Sequence, residues 1–389
     1  MVGVHGVSAR ELEALLILAL RERVFPGAVC AVGRLADEVS VQQGSLRVIA
    51  RGGVLAPGEP AVELDTPYDL ASLTKPFVAI TALRLVQKSV VALDTPLRRI
   101  MPELEGTVGG EGTLAELLSH RAGLLPWSGL YRASDAPLGS DERKRTMLKA
   151  AASLGLRAED PRAEVRSPDG RRGNESVYSD LGYLLAGHAL SRAAGVPLDE
   201  LVRREVTAPL GMDSQVYYAA SLGDGARETL RRQVAPTELC AWRGGVVRGE
   251  VHDENAHAFG GIAGHAGLFG TASAVMRFGL ALLLALEGRS SWLDRGLLRW
   301  ALRPRDKIPG GYVVGFDTKS REGSSAGELF SERSFGHLGF TGTSIWCDPT
   351  RRLCAVLLSN RVHPTRENIA IRAFRPRFHD AAAELHFSP

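Results

Sequence analysis

The sequence predicts an α/β protein in which a β-sheet, formed by both ends of the chain, carries a helical insertion. Short apolar runs bounded by glycine, typical of strands, occur near the N-terminus and again after about residue 310. Between them, about two hundred residues show helical periodicity, capping residues and loops. We therefore place the sheet domain at residues 1–80 and 285–389, and the helical insertion domain with active-site loops at 81–284.

The N-terminal part predicts a helix, two strands and a second helix. Ser8 to Glu11 form a capping box that opens a helix ending near Arg23. Residues 28–32 and 46–50 are apolar and bounded by glycines, as expected of strands. A polar turn then leads into an apolar segment, and Pro76, which lacks a backbone N–H, fits only near a first helical turn. This second helix therefore starts close to Ser72.

The middle of the chain is predicted to be helices and loops. A capping box at Thr113 starts a short helix, and Gly195 ends another. Two long segments lack periodicity: 157–175 is predicted to be an exposed loop, and the glycine-rich 223–268 a functional or disordered loop. The longer helices are predicted at 141–154, 180–194, 272–286 and 292–302.

Strands return in the C-terminal part, at 311–316, 335–339, 343–347 and 353–358. The last two are continuously apolar, which predicts central strands covered on both faces. The tail from Thr365 to Phe387 has amphipathic helical spacing, with a break or kink expected at Pro376.

Composition excludes several classes of protein. The 389 residues are 44% apolar, enough for a large core, and the net charge of +3 comes from dispersed arginines, which gives no case for nucleic-acid binding. The longest apolar run, 278–286, is too short to span a membrane. No signal peptide is recognised, so a cytoplasmic location is expected, with an exported form as the alternative. The oligomeric state stays open. Of the four cysteines, Cys347 and Cys354 bracket a hairpin and could face each other, although buried free thiols are favoured.

The first chemical candidate is the pair Ser72 and Lys75. Residues three apart lie on one helix face, so the Lys75 amine can reach the Ser72 hydroxyl. Serine is a weak nucleophile that needs a neighbouring base, and a lysine whose pKa is lowered by burial can serve. Of the six lysines in the chain, only Lys75 has a serine three positions before it. The same pattern also fits a serine N-cap with an exposed lysine one turn later.

Two further stretches carry candidate site residues. Tyr178 precedes a helix for which Asp180 is the predicted N-cap, and a nearby lysine cation would lower the pKa of this tyrosine; a buried structural tyrosine is the alternative. His337 to Thr343 combines an edge-strand pattern with glycines, which often mark close approach of a ligand. A backbone N–H there could stabilise an oxyanion, although a simple bend explains the pattern equally well.

A metal site and a phosphate-binding loop are disfavoured. His252, Asp253, His257 and His265 do not have the spacing of zinc ligands, so a structural or active-site loop is preferred. The glycines at 260–264 are not followed by Lys-Ser/Thr, as a phosphate-binding loop requires. We expect no cofactor.

Taken in order, these stretches resemble the three motifs of the serine β-lactamase and penicillin-binding-protein superfamily. The motifs are Ser72-x-x-Lys75, Tyr178-Ser-Asp180 and His337-x-Gly339, and the resemblance runs from about Val24 to about Phe387. The closer similarity is to the class C β-lactamase-like branch, which includes esterases and D-amino-acid peptidases. Segments 69–76, 117–124, 251–256, 264–269 and 340–344 also look like this branch.

The resemblance implies a fold and a set of roles. The expected fold is an antiparallel sheet flanked by helices, with an inserted all-helical domain and the active site between them. Ser72 would be the acylated nucleophile, activated by Lys75, with Tyr178 as general base and as proton donor to the leaving group. Asp180, His337, Gly339 and Phe340 would bind substrate, with the N–H groups of Ser72 and Phe340 forming the oxyanion hole. No metal or organic cofactor is implied.

Two positions depart from class C β-lactamases, which have Asn where this chain has Asp180, and Lys where it has His337. An ionised Asp cannot donate a hydrogen bond to a substrate carbonyl, and a neutral His attracts a carboxylate less than Lys. Arg361, His363 and Arg366 could recover some carboxylate recognition. We therefore expect hydrolysis of small esters or amides, ahead of D-amino-acid or peptidoglycan-type peptidase activity and then of β-lactamase activity. A non-catalytic penicillin-binding sensor and a helical scaffold are the alternatives outside enzymes.

Overall fold

A computed structural model of the chain describes residues 7–36, 45–156, 176–304 and 311–385. These residues form twelve α-helices and twelve strands. The helices are α1 Val7–Arg21, α2 Thr74–Gln87, α3 Val108–Glu111, α4 Leu114–Leu118, α5 Asp141–Ser153, α6 Asp180–Ala194, α7 Leu198–Val202, α8 Asp224–Gln233, α9 Glu254–Ala258, α10 Ala272–Glu287, α11 Arg295–Ala301 and α12 Ile371–Glu384. The strands are β1 Gly27–Leu35, β2 Ser45–Gly53, β3 Tyr68–Asp69, β4 Val216–Tyr218, β5 Leu239–Cys240, β6 Gly245–Val246, β7 Leu268–Gly270, β8 Tyr312–Val313, β9 Phe316–Thr318, β10 Phe335–Leu338, β11 Ser344–Asp348 and β12 Leu353–Ser359.

The central sheet joins both ends of the described chain. Its seven strands have the order β2-β1-β12-β11-β10-β9-β8, and neighbouring strands are antiparallel. N-terminal β1 pairs with C-terminal β12, with Val29 opposite Leu358 and Ala31 opposite Val356. The predicted α/β fold with an antiparallel sheet flanked by helices is therefore confirmed.

Two apolar cores cover the two faces of this sheet. On β1, Ala28, Cys30 and Val32 belong to the core shared with α1 and α12. The alternate residues Val29 and Ala31 belong to the larger core shared with α10 and the helices of the middle segment. This two-sided burial confirms that the continuously apolar β11 and β12 are central strands, and it follows from side chains alternating across a strand.

The middle of the chain forms a helical layer against the larger core. Helices α2 to α9 lie between β3 and β7 in sequence, and a small sheet with the order β3-β7-β4 lies where this layer meets the strands. The predicted capping box at Thr113 is present, and Gly195 ends α6 in the left-handed conformation, as predicted. Among the described residues, no helix is both long enough and apolar enough to cross a membrane.

Several sequence predictions were wrong in detail. Residues 223–268 are not one loop: they contain α8, the β5–β6 hairpin and α9, whose short lengths hide their periodicity. The predicted strand 311–316 is two strands, β8 and β9, because Gly315 turns the chain with a positive φ of 86°. Of the break or kink expected at Pro376, the break is absent, because helix α12 continues through this residue. The predicted loop 157–175 and the side chain of Ser8 lie outside the described residues.

Cys347 and Cys354 face each other across β11 and β12, and both are free, buried thiols. Helix α10 packs directly over them at Gly279. A Cβ atom at this position would overlap the sulfur of Cys354 and lie 2.9 Å from that of Cys347. Gly279 therefore sets how closely α10 can approach the sheet.

We expect Gly279→Ala to lower the free energy of unfolding by about 1–3 kcal/mol, because the added methyl group overpacks a filled core. Chemical denaturation measures this loss. The matched control is Gly225→Ala in α8, where a Cβ would meet nothing within 4 Å, so this variant should gain about 0.5–1 kcal/mol from helix propensity. Equal stability changes in the two variants would contradict the packing argument.

Candidate active site

The candidate site is a cleft of about 560 Å³ between the helical layer and the β10–β11 end of the sheet. Its walls carry the nucleophile candidate, aromatic side chains, carboxylates and several arginines. The residues that concern its chemistry are Ser72, Trp127, Tyr178, Asp180, Gly339, Phe340, Arg361, Arg366, Arg372 and Arg375. Segments that are far apart in sequence therefore contribute to one cleft, as the three predicted motifs require.

Ser72 lies in a single 3₁₀ turn, Ala71–Leu73, that leads into α2. Ala71, just before it, has a positive φ of 48°, an uncommon conformation for a residue with a side chain. The buried carboxylate of Asp69 accepts hydrogen bonds from the N–H of Ala71 at 2.8 Å and from the N–H of His252 at 2.7 Å. Asp69 therefore fixes the strained turn and joins it to the segment beside α9. Neither Asp69 nor its role was singled out from the sequence.

The Lys75 amine is fully buried and contacts three groups from distant parts of the chain. Its Nζ donates to Ser72 Oγ at 2.8 Å and to the carbonyl oxygen of His265 at 3.2 Å, and it lies 2.6 Å from Asp180 Oδ1. Burial lowers the pKa of Lys75, and the Asp180 carboxylate opposes that shift. The alternative of an exposed lysine beside a capping serine is wrong, because the side chain has no exposed surface.

Tyr178 points into the cleft and reaches the same serine. Its hydroxyl donates to Ser72 Oγ at 2.7 Å, and Lys75 Nζ lies 4.8 Å from the centre of its ring. We expected a nearby lysine cation to lower the pKa of this tyrosine. Instead, its pKa is raised well above the usual value, because burial and the Asp180 carboxylate both disfavour a phenolate. Tyr178 is therefore a protonated hydrogen-bond donor in the resting site.

Asp180 is the first residue of α6, and the predicted N-cap role belongs instead to Ser179. The Ser179 hydroxyl accepts a hydrogen bond from the N–H of Gly182, which leaves the Asp180 side chain available for the ion pair with Lys75. Both Ser and Asp can cap a helix, so the sequence could not decide which of Ser179 and Asp180 is the N-cap. The Asp180 carboxylate also borders the cleft.

His337, Gly339 and Phe340 occupy three different environments. His337 is buried in β10, which lies inside the sheet and not at its edge, and its side chain is not among those that line the cleft. Burial and the Lys75 charge lower the pKa of His337 to about 3, so this histidine is neutral. Phe340, in contrast, is 48% exposed and borders the cleft.

Gly339, just after β10, is required because the chain there lies close to the 3₁₀ turn that holds Ser72. A Cβ atom there would overlap Thr343 Oγ1 and lie 2.7 Å from the carbonyl oxygen of Leu70. The hydroxyls of Thr341 and Thr343 donate to the carbonyls of Asp69 and Leu70 at 2.8 and 3.1 Å. The strand end and the Ser72 turn are therefore held together by direct hydrogen bonds.

His120 supports Tyr178 from behind and was missed as a site residue. Its Nδ1 accepts the N–H of Ser179 at 2.9 Å, and its ring lies 4.7 Å from that of Tyr178. Burial and the Lys75 charge lower the pKa of His120 well below its usual value, so the ring is neutral. His120 follows the C-cap of α4, and this sequence position gave no indication of the contact.

The histidines near α9 form separate pairs with carboxylates. His252 Nε2 lies 2.9 Å from Glu238 Oε2, and His265 Nε2 lies 2.9 Å from Asp253 Oδ1. In the part of the chain that the structure describes, no group of three or more His, Cys, Asp or Glu side chains is arranged to hold a metal ion. These pairs fix the segment whose His265 carbonyl contacts Lys75.

Arginines gather at the opposite end of the cleft. Arg366 pairs with Glu238 and Glu254, and His363 contacts the Thr237 carbonyl oxygen at 2.8 Å, so both side chains already have partners within the protein. Arg361 donates to three backbone carbonyls. Arg372 is exposed and forms no ion pair with any carboxylate of the described residues. Its exposed guanidinium group is therefore available to an anion from solution.

Together, these contacts place a lysine amine and a tyrosine hydroxyl on the oxygen of Ser72, an arrangement that a serine hydrolase needs. Residues 12–375 match the family model described as Beta-lactamase. The chain therefore belongs to the beta-lactamase family.

Two relatives and one solved structure are similar to this chain. A putative D-alanyl-D-alanine carboxypeptidase of Escherichia coli K12 is 27% identical over 342 residues, which cover 80% of this chain and 73% of the relative. An N-acetylmuramyl-L-alanine amidase of Bacillus subtilis 168 is 28% identical over 373 residues, covering 87% and 78%. The fold resembles that of EstCE1, a hydrolase with promiscuous acyltransferase activity, with a TM-score of 0.71 and 18% identity over 97% of this chain and 98% of that one.

We expect Asp180→Asn to shift the pH dependence of kcat/KM for ester hydrolysis. Activity that needs a neutral Lys75 rises with pH through the pKa of this lysine. Because the Asp180 carboxylate raises that pKa, its removal should move the rising limb to lower pH, and lower kcat about tenfold or more as the amine loses its orientation. The control is Asp213→Asn, an exposed position outside the cleft. An unmoved limb would show that Asp180 does not set the protonation of Lys75.

Proposed function

We propose that this chain hydrolyses small esters or amides through an acyl-enzyme formed on Ser72. The observation that carries the proposal is the convergence of Lys75 Nζ and Tyr178 Oη on Ser72 Oγ, at 2.8 and 2.7 Å. Two titratable groups on one hydroxyl allow a proton to leave it and to be delivered to a leaving group.

In the acylation step, neutral Lys75 takes the proton of Ser72 as its Oγ attacks the substrate carbonyl carbon. The carbonyl electron pair moves to oxygen, and the N–H groups of Ser72 and Phe340 stabilise this charge. When the tetrahedral intermediate collapses, Tyr178 gives its proton to the departing oxygen or nitrogen and recovers one from the Lys75 ammonium. The lowered pKa of Lys75 and the raised pKa of Tyr178 support this division of roles.

Deacylation repeats these steps with water in place of the serine. A water molecule loses a proton to the Lys75–Tyr178 pair and attacks the acyl carbon, and Ser72 Oγ departs as it regains a proton. At the end of the cycle, Lys75 and Tyr178 must hold the same protons as at the start. Both groups contact the Ser72 oxygen, so protons can pass to it and from it. No metal or organic cofactor takes part in this scheme.

The departures from class C β-lactamases support esters and simple amides over β-lactams. Asp180 is committed to an ion pair with Lys75, so it cannot hold a substrate amide as an asparagine would. Buried, neutral His337 offers no cation where those enzymes have a lysine. Peptidase or amidase activity on D-amino-acid or peptidoglycan-type substrates is the second candidate, supported by the two relatives at 27% and 28% identity.

Arg372 favours substrates that carry a carboxylate. This exposed arginine borders the cleft and pairs with no described carboxylate, so a substrate anion could bind it without displacing an internal partner. A carboxypeptidase substrate, which ends in a carboxylate, has this chemistry. A non-catalytic sensor with the same cleft would form an adduct but not turn it over, and a helical scaffold would form none.

Substitution of the nucleophile tests the proposal directly. We expect Ser72→Ala to lower kcat/KM for a chromogenic ester about a thousandfold or more, and to abolish the mass increase caused by a fluorophosphonate probe. Ser153→Ala, a matched change in α5 outside the cleft, should leave both unchanged. Turnover that survives Ser72→Ala would remove Ser72 from the mechanism. Parallel assays with D-aminoacyl amides and a chromogenic cephalosporin rank the substrate classes.

A charge test addresses the carboxylate preference. We expect Arg372→Gln to raise KM about threefold to thirtyfold for an ester that bears a carboxylate, because a charge-assisted hydrogen bond is lost. KM for the matched neutral ester should change by less than about twofold. Arg377→Gln, an exposed arginine on the same helix that pairs with Glu22, is the control. Equal effects on the two esters would rule out carboxylate recognition by Arg372.

A further inference from the structure

A short turn connects β10 to β11 and presents Phe340 to the cleft. The N–H of Gly339 donates to the Thr343 carbonyl at 2.8 Å, and the N–H of Gly342 donates to the Gly339 carbonyl at 3.2 Å. Gly342 has a φ of 114°, which only glycine adopts readily. Because the proposed oxyanion hole uses the Phe340 N–H, the shape of this turn determines where that donor points.

Arg375 of α12 spans the base of this turn. One guanidinium nitrogen, Nη2, donates to the Gly339 carbonyl at 2.7 Å and to the Thr343 carbonyl at 2.8 Å. The side chain borders the cleft, yet its residue is only 7% exposed. A single cationic group therefore holds both carbonyls that close the turn.

The charge of Arg375 has no counter-ion among the described residues. It forms no ion pair there, and its Nε, which is buried, has no hydrogen-bond partner in that part of the chain. Burial and the charges of Arg361 and Arg372 lower its pKa to about 9, so the group is cationic at neutral pH. Burying an uncompensated cation is costly, and a neutral donor would satisfy the same carbonyls at a lower cost.

The Gly339 carbonyl and the Phe340 N–H belong to one planar peptide group. A cationic hydrogen bond to the carbonyl polarises this group, which makes the N–H a stronger donor, and it also fixes the plane of the peptide. Arg361 holds the next carbonyl, that of Phe340, through Nε at 2.9 Å. The two guanidinium groups therefore restrain the peptides on both sides of Phe340.

We infer that Arg375 is a positioning residue for the oxyanion hole: its guanidinium orients and polarises the Gly339–Phe340 peptide, so that the Phe340 N–H stabilises the charge that develops on the substrate oxygen. This inference rests on the proposed acyl-enzyme mechanism. It predicts that Arg375 contributes to binding of the transition state and not of the ground-state substrate.

The experiment compares Arg375→Gln and Arg375→Lys with Arg377→Gln, which removes the same charge from an exposed position on the same helix. Each variant is assayed with a neutral ester for kcat and KM. Each is also titrated with a boronic acid, which forms a tetrahedral adduct on an active-site serine, and melted to measure Tm. Ser72→Ala is titrated in parallel.

We expect Arg375→Gln to lower kcat about tenfold to hundredfold, since removal of an oxyanion-hole donor itself costs about a hundredfold to a thousandfold. KM should change by less than about threefold, and boronate affinity should fall by the same factor as kcat/KM. Arg375→Lys retains the charge without the planar fork, so its kcat should fall less but still by about threefold or more. Arg377→Gln should match the unmodified chain.

Two results would overturn the inference. One is a folded Arg375→Gln variant with kcat and boronate affinity within about twofold of Arg377→Gln. The other is a loss that appears mainly in KM, which a loosened cleft would produce. If Arg375→Gln does not fold, the same two criteria apply to Arg375→Lys. Failure of the acyl-enzyme proposal is distinguishable, because ester turnover and boronate binding would then survive Ser72→Ala.

Discussion

The buried amine of Lys75 is the group around which the site is built. An amine without solvent contact needs partners, and this one has Ser72, Asp180 and the His265 carbonyl within 3.2 Å. Those partners come from the start of α2, the start of α6 and the segment before β7. The helical layer and the small sheet must therefore pack correctly before the amine is satisfied. Burial also lowers the pKa of Lys75. One side chain therefore serves both the packing of the site and its chemistry.

Charge is separated along the cleft. At the end that holds Ser72, Asp180 faces Lys75, and Asp69 holds the strained turn before Ser72. At the other end, guanidinium groups hold backbone carbonyls around Phe340 or remain open to solution. A substrate whose carbonyl lies between the ends would have its nucleophile on one side and positive charge on the other. This polarity stabilises the negative charge that builds up on the substrate oxygen better than a neutral cleft would.

Much of the fold and of the site could be predicted, because it follows from local patterns in the sequence. Apolar runs predicted β11 and β12, a capping box predicted α4, Gly195 predicted the end of α6, and the spacing of Ser72 and Lys75 predicted their contact. What failed depended on the environment of each side chain. The raised pKa of Tyr178 results from burial and from Asp180, and the buried position of His337 results from its place inside the sheet. Arg375 gave no signal, because an arginine in an amphipathic helix is ordinarily a surface residue.

The pairing of β1 with β12 has a consequence for how the chain is made. These strands lie roughly three hundred residues apart in sequence, yet they are neighbours in the sheet. On the ribosome, β1, α2 and the helical layer emerge long before β10, β12 and α12 exist. Until then one edge of β1 is unpaired, and the larger core lacks the C-terminal strands that cover it. The sheet therefore cannot be completed until synthesis is nearly finished. Ser72, Lys75 and Tyr178 can come together before the β10–β11 turn, which would complete their cleft, has been synthesised.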